Sequence, residues 1–197
     1  MKRALHIISS ARGELSYSRG LSTAIINKLI DKKEIDTVVE RDLTLLPPPL
    51  LNEPLIWEFY KFPTMIDENG RQLLAYADAI FNEVDQADII VIGTPMHNHG
   101  ISAHFKAWID QLVRIGVSYK YNVDGTRTGC LHNKKVYLAI ASGGRLSYWP
   151  AAYEFIESYI KAVFSAYTGI TDVCTYRIEG TAETNFTVNY KEIIETI

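Results

Sequence analysis

The residues best suited to chemistry in this chain fall in three short stretches, each directly after a run of apolar residues. The first, Ser9 to Ser18, holds four serines: Ser9, Ser10, Ser16 and Ser18. Small residues let a backbone curl round an anion, and hydroxyls donate hydrogen bonds to it. A helix beginning here adds free N–H groups and a partial positive charge, which suits a phosphate. Ser16 or Ser18 also suits the simpler task of capping that helix. The stretch has neither G-x-x-x-x-G-K-[ST] nor G-x-G-x-x-G, which disfavours ATP-type and dinucleotide sites. A phospho-acceptor domain would want several acidic residues here, and there is only Glu14.

The second stretch, Gly93 to Ser102, contains Pro95, Met96, His97, Asn98 and His99. Two histidines in His-x-His spacing, with no acidic or cysteine ligand nearby, are a poor metal signal, and no metal is expected. The stretch better suits backbone contact with a flat ring. Pro95 stiffens the turn, Met96 offers a soft apolar surface and Asn98 offers amide hydrogen bonds. The third stretch, Ala141-Ser142-Gly143-Gly144-Arg145, has paired glycines that permit close backbone approach to a ligand. Alone it reads as a turn. After a buried strand it becomes a candidate for the ring's polar edge, and Arg145 or the Gly-Gly N–H groups become candidates to stabilise negative charge there.

Elements that could hold these stretches side by side are legible in the apolar pattern. Arg3 to Ser9, Asp88 to Gly93 and Lys135 to Ala141 are near-continuous apolar runs, as in strands buried on both faces. Asp36 to Leu43 alternates valine with charge and fits a sheet edge, and Asp172 to Ile178 reads as the last strand. Helical spacing covers Ser18 to Asp31, Gly70 to Asp85, Ser102 to Arg114, Ala151 to Tyr167 and Asn189 to Thr196. Val117 to Leu131 reads as a hairpin excursion turning at Asp124-Gly125. The proline-rich segment from Leu45 to Pro63 also carries Leu50, Leu55, Trp57, Phe59 and Tyr60. So many large apolar groups imply either packing onto the domain or a partner. Strand and helix alternate throughout. The expected fold is therefore α/β: a doubly wound five-stranded parallel sheet with helices on both faces, one domain over residues 1–197. Ligands in such sheets bind beyond the carboxyl ends of the strands, where all three stretches would lie.

Composition narrows the function. The chain has 197 residues, 47% hydrophobic and 22% charged, with net charge −3. That balance lacks the basic surplus of a nucleic-acid binder and the strong acidity of a carrier that docks by long-range attraction. Cys130 and Cys174 lie in neither redox nor zinc spacing, as expected of reduced thiols in a cytoplasmic protein. No apolar run is long enough for a membrane span or a signal peptide.

Taken in order, these residues resemble the FMN-dependent NADH-azoreductases of the flavodoxin-like quinone reductase group. The resemblance rests on Ser10 with Ser16-Tyr17-Ser18, Pro95-Met96-His97-Asn98, Ile101-Ser102, Arg114 to Tyr121 with Asp124-Gly125, Lys134-Lys135, Ser142-Gly143-Gly144 and Gly169 to Val173. It implies a homodimer that binds FMN and passes electrons from NADH (or NADPH) to a quinone or azo compound in two steps. It implies that Ser10, Ser16, Tyr17 and Ser18 hold the phosphate. It further implies that Met96, His97, Asn98 and His99 line the isoalloxazine, and that Ala141, Ser142, Gly143 and Gly144 hold its pyrimidine edge. No side chain need act as nucleophile, because the flavin carries the chemistry. Tyr121 and Tyr167, with Tyr119 and Phe164, are candidates to sandwich a planar substrate. The chain departs from the family at His97 and His99, where Tyr and Phe are usual, at Tyr17, usually Gln, and at Ala141-Ser142, usually Ser-Arg. The histidines make the substrate face more polar. Two other readings share the fold: an electron carrier, which would show no turnover of NADH with a quinone, and an interaction protein that binds no flavin.

Overall fold

The apolar residues of the central strands alternate between two helical layers, and this alternation organises the structure, a computed structural model that describes residues 2–197. The chain runs β1 (Arg3–Ile8), α1 (Tyr17–Asp31), β2 (Thr37–Asp42), α2 (Glu53–Phe59), α3 (Glu68–Gln86), β3 (Ile89–Pro95) and α4 (Ala103–Leu112). It continues through β4 (Tyr119–Tyr121), β5 (Arg127–Gly129), β6 (Lys135–Ala141), α5 (Ile156–Val163), β7 (Asp172–Ile178) and α6 (Tyr190–Ile193). Five strands form a parallel sheet in the order β2-β1-β3-β6-β7, and β4 and β5 pair antiparallel as a separate hairpin. The five-stranded doubly wound sheet and the edge position of β2 match the sequence reading.

Ile90, Ile92, Val136, Leu138 and Ile140 face Ile80, Phe105, Trp108, Ile109, Ile156 and Ile160 from α3, α4 and α5. Ile89, Val91, Tyr137 and Ala139 face Leu21, Ile25, Ile26 and Leu29 of α1 on the other side. Successive side chains of a strand point to opposite faces, so a continuous apolar run is what a sheet covered on both sides requires.

Three boundaries differ from expectation. The stretch from Ala151 to Tyr167 is not one helix. A single 3-10 turn spans Ala151–Tyr153, and α5 begins only at Ile156. Glu154 makes the break: its carboxylate accepts the Glu157 N–H at 3.0 Å while pairing with Arg177 of β7 at 2.6 Å. A tertiary ion pair thus sets a helix start that local spacing does not reveal. The last turn, Phe164–Thr168, widens into a π turn closed by Gly169 at φ 86°. The final helix is only Tyr190–Ile193, and its end is fixed by Lys28 Nζ donating to the Ile194 and Glu195 carbonyls at 2.6 and 3.0 Å. The proline-rich segment packs onto the domain in part. Leu55 and Phe59 of α2 pack on Leu74 and Ala77 of α3, whereas Leu45, Leu50, Trp57, Tyr60 and Phe62 stay exposed.

Candidate functional site

Strand order reverses between β1 and β3, because the chain leaves β1 for β2 on one side and returns to β3 on the other. The crevice outside such a reversal is where open α/β sheets bind ligands. A cleft of about 350 Å³ opens there, lined by Ser10, Arg12, Ser16, Tyr17, Ser18, Pro95, Met96, His97, Ala141, Gly143, Thr181 and Ala182. That volume lies within the ordinary range of small-molecule sites.

The wall after β1 is rich in donors. Ser16 caps α1, its Oγ accepting the Arg19 N–H at 3.2 Å, and it lies 3.2 Å from Ser18 Oγ. One hydroxyl of that pair donates to the other, which leaves one hydroxyl proton to spare. Ser10 Oγ accepts the Arg12 N–H at 3.4 Å, so its own proton is also available. The backbone N–H groups of Tyr17 and Ser18 find no acceptor among the described residues. Capping and anion binding are therefore compatible uses of one serine cluster. The wall is held close by Gly93, where a Cβ would lie 2.6 Å from Ser22 Oγ and 2.9 Å from the Ser18 carbonyl oxygen. Only glycine lets the first turn of α1 sit this near β3.

After β3, Met96 N–H donates to the Ala141 carbonyl at 2.8 Å and ties the second stretch to the third. His97 and Gly100 exchange two backbone hydrogen bonds of 2.9 Å, closing a tight turn with Asn98 at φ 49° and His99 at φ 64°. Both central residues must be left-handed in such a turn, which asparagine tolerates better than histidine. The turn divides the two histidines. His97 is exposed and lines the cleft, while the His99 ring meets Trp149 and Tyr153 edge-on, with centroids 4.9 and 5.7 Å away. Asn98 sits at the exposed tip and does not line the cleft.

After β6, the carbonyls of Ser142, Gly143 and Gly144 accept N–H groups of Thr181, Ala182 and Gly180 at 3.1, 3.1 and 3.3 Å. With their acceptors used, Gly143 and Gly144 contribute free N–H donors, as a ligand carbonyl requires. Gly144 is also packed under Trp149, whose ring would lie 2.6 Å from a Cβ there. Sequence reading missed Arg12, Thr181 and Ala182. Thr181 and Ala182 follow β7, and their position after a strand is the signal that could have marked them.

Comparisons with known proteins bear on this geometry. Residues 2–195 match the family described as the flavodoxin-like fold. An FMN-dependent NADH:quinone oxidoreductase of Herminiimonas arsenicoxydans is 38% identical over 183 residues, 92% of this chain and 89% of that protein. A second of that name from Trichormus variabilis is 36% identical over 177 residues, 88% of this chain and 84% of that protein. Among solved structures, an azoreductase from Bacillus anthracis superposes with a TM-score of 0.82 at 31% identity, over 92% of this chain and 88% of that one. This chain belongs to the FMN-dependent NADH:quinone oxidoreductase and azoreductase family. In fold alone it also matches an FMN-dependent NADH-azoreductase solved with FMN, with a TM-score of 0.81 at 21% identity, over 100% of this chain and 97% of that one.

Other candidates lie outside the cleft of this family member. Tyr121 and Tyr167 both stack edge-on against Tyr119, with centroids 5.7 and 5.2 Å away, and the Arg127 guanidinium sits 4.3 Å over the Tyr167 ring. Burial and the neighbouring Tyr121 raise the Tyr119 hydroxyl above the usual tyrosine value. Phe164 is fully buried core and meets no substrate space. Arg145 is also committed: it forms a two-point ion pair with Glu183 at 2.6 and 2.7 Å, which tethers the loop after β6 to the loop after β7. Arg145 does not line the cleft, whereas the Gly143 and Gly144 N–H groups after β6 remain free.

Proposed function

We propose that this chain is an FMN-dependent NAD(P)H oxidoreductase that reduces quinones or azo compounds. When bound, FMN supplies the redox chemistry, taking a hydride from NADH or NADPH and passing the electrons to the acceptor in a second, separate step. The observation that carries the proposal is the single cleft joining a donor-rich wall after β1 to free N–H donors after β6. Ser10, Ser16, Tyr17 and Ser18 would hold the phosphate. Met96 and His97 would flank the ring, with Asn98 at the exposed tip of the turn and His99 bracing that turn against Trp149. Ala141, Ser142, Gly143 and Gly144 would meet the pyrimidine edge. The residues fit the group: the first wall offers hydroxyl and backbone donors with no carboxylate lining it, and the last offers N–H groups whose carbonyl partners are already bonded. The names of the relatives support the same cofactor, donor and acceptor classes.

The active form is proposed to be a homodimer in the cytoplasm. Exposed Leu45, Leu46, Leu50, Trp57, Tyr60, Phe62 and Met65 supply an apolar surface that a second copy would cover. Tyr121 and Tyr167 would then contribute to substrate binding from beyond the single-chain cleft. Among the described residues no helix is long and apolar enough to cross a membrane.

Titration of the flavin-stripped protein with FMN, and with riboflavin as the phosphate-free comparison, tests the proposal. Tight FMN binding, weak riboflavin binding and bleaching by NADH without oxygen are expected, followed by parallel double-reciprocal plots with a quinone acceptor. Absence of FMN binding refutes the proposal. Binding with no bleaching by NADH or NADPH leaves an electron carrier in its place.

A further inference from the structure

The serine wall of the cleft carries little net charge of its own, although a phosphate monoester bears roughly −1.5 to −2 near neutral pH. Two arginines stand by it. Arg19 is already committed: its guanidinium pairs with Asp42 at 2.8 Å, Glu14 at 3.5 Å and Glu40 at 3.7 Å. Arg12 differs. It is the one arginine or lysine among the described residues lining the cleft, and it makes no ion pair with any described residue. Its guanidinium lies 5.7 Å over the Tyr17 ring, and Tyr17 in turn packs edge-on against Phe186 at 5.2 Å. Its backbone N–H donates to Ser10 Oγ. The side chain therefore rests on an aromatic shelf braced by the C-terminal segment, beside the serine hydroxyls.

We infer that Arg12 is the charged member of the phosphate subsite, a specificity residue that favours FMN over riboflavin. The inference rests on the reading of the cleft as an FMN site. A guanidinium preset by stacking loses less freedom on binding than one loose in solvent, and it offers paired N–H donors to phosphate oxygens. Tyr17 thereby acquires a task of its own: it positions Arg12.

The test compares wild type, Arg12→Gln and Arg12→Lys, titrated with FMN and with riboflavin at low and high salt. Arg12→Gln is expected to weaken FMN binding about tenfold, which corresponds to about 1.4 kcal/mol. Riboflavin binding should be unmoved and the salt dependence of FMN binding reduced. Arg12→Lys keeps the charge and should stay within about threefold of wild type, on the same conversion. The side chain is exposed, so thermal unfolding of the flavin-free variants should match wild type. The inference is overturned if Arg12→Gln leaves FMN affinity intact or weakens both ligands alike. It is also overturned if Arg12→Lys behaves like Arg12→Gln. Failure of the wild type itself to bind FMN refutes the functional reading, a result distinguishable from failure in the variants alone.

Discussion

His6 should make the stability of this protein fall steeply on mild acidification. It lies on β1 beneath α1 with 3% of its surface exposed, and burial, followed by the nearby Arg19 charge, lowers its pKa from 6.5 to about 4. The hydrogen bonds set the tautomer. Ser22 Oγ donates to the Arg19 carbonyl at 3.0 Å, so it accepts from His6 Nε2–H at 2.8 Å. That leaves bare Nδ1 3.5 Å from Glu40. Glu40 is half exposed, so water screens its pull on a proton, and Asp42, which favours the charged form, is itself paired with Arg19. Above pH 6.5 neither the folded nor the unfolded chain protonates this ring. Between about 6.5 and 4 the unfolded chain binds a proton that the folded chain refuses, so stability present at neutral pH is lost as pH falls. The loss grows at about 1.4 kcal/mol per pH unit and reaches about 3 kcal/mol near pH 4. His6→Gln keeps an N–H for Ser22 and cannot titrate. Urea unfolding of flavin-free wild type and His6→Gln at several pH values between 4 and 8 isolates the effect. Their stability difference should shift by about 3 kcal/mol across that range. A difference independent of pH would refute the reasoning.

The structure makes further predictions. Gly93→Ala forces a methyl against Ser22 Oγ and the Ser18 carbonyl. It should cost about 1–3 kcal/mol, read by denaturation, and weaken FMN in a titration because the first turn of α1 must move outward. Glu154→Ala removes both the acceptor that begins α5 and one of the two carboxylates on Arg177. A loss of about 1–3 kcal/mol in thermal or urea unfolding is expected, with FMN affinity of the folded protein unchanged. Trp57→Ala combined with Tyr60→Ala trims the exposed apolar surface, and sedimentation should show a shift from dimer toward monomer with activity falling in parallel. Full assembly and activity in that double variant would remove the segment from the interface.

How much of this was legible beforehand depended on the range of the interactions involved. β3 and β6 were plain in the sequence because burial on both faces leaves an unbroken apolar run, and that signal is local. The α1 start was legible because its cap, Ser16, lies three residues from the N–H that it accepts. The α5 start was not, because Glu154 is positioned by Arg177, 23 residues away on β7. The same holds for the cleft. Its serines and glycines announced themselves, but the closing of the loop after β6 by Thr181 and Ala182 depends on β6 and β7 being neighbours. The ion pair of Arg145 is illegible for the same reason: its partner Glu183 lies 38 residues away. Nothing in the order of residues separates His97 from His99. A left-handed turn two residues long does, by sending one ring to the cleft and the other to Trp149.

Individually generic residues acquire a specific meaning here through sheet geometry. Neighbouring strands are about 4.8 Å apart, so β1, β3 and β6, adjacent in the sheet, bring the ends of three loops within roughly 10 Å of one another. The loop at one side of that row presents hydroxyls, helix N–H groups and an unpaired guanidinium. At the other side, carbonyls are tied back and only N–H donors remain. Between them stand Pro95, Met96 and His97, which offer a flat and largely apolar edge. A ligand matching that row must be elongated, anionic at one end, planar through the middle and carbonyl-bearing at the other. Among the described residues lining this row there is one histidine and no carboxylate. A phosphate-bearing flavin satisfies all three requirements at once. This makes the arrangement of the three loops, more than any single motif within them, the physical basis of the functional assignment.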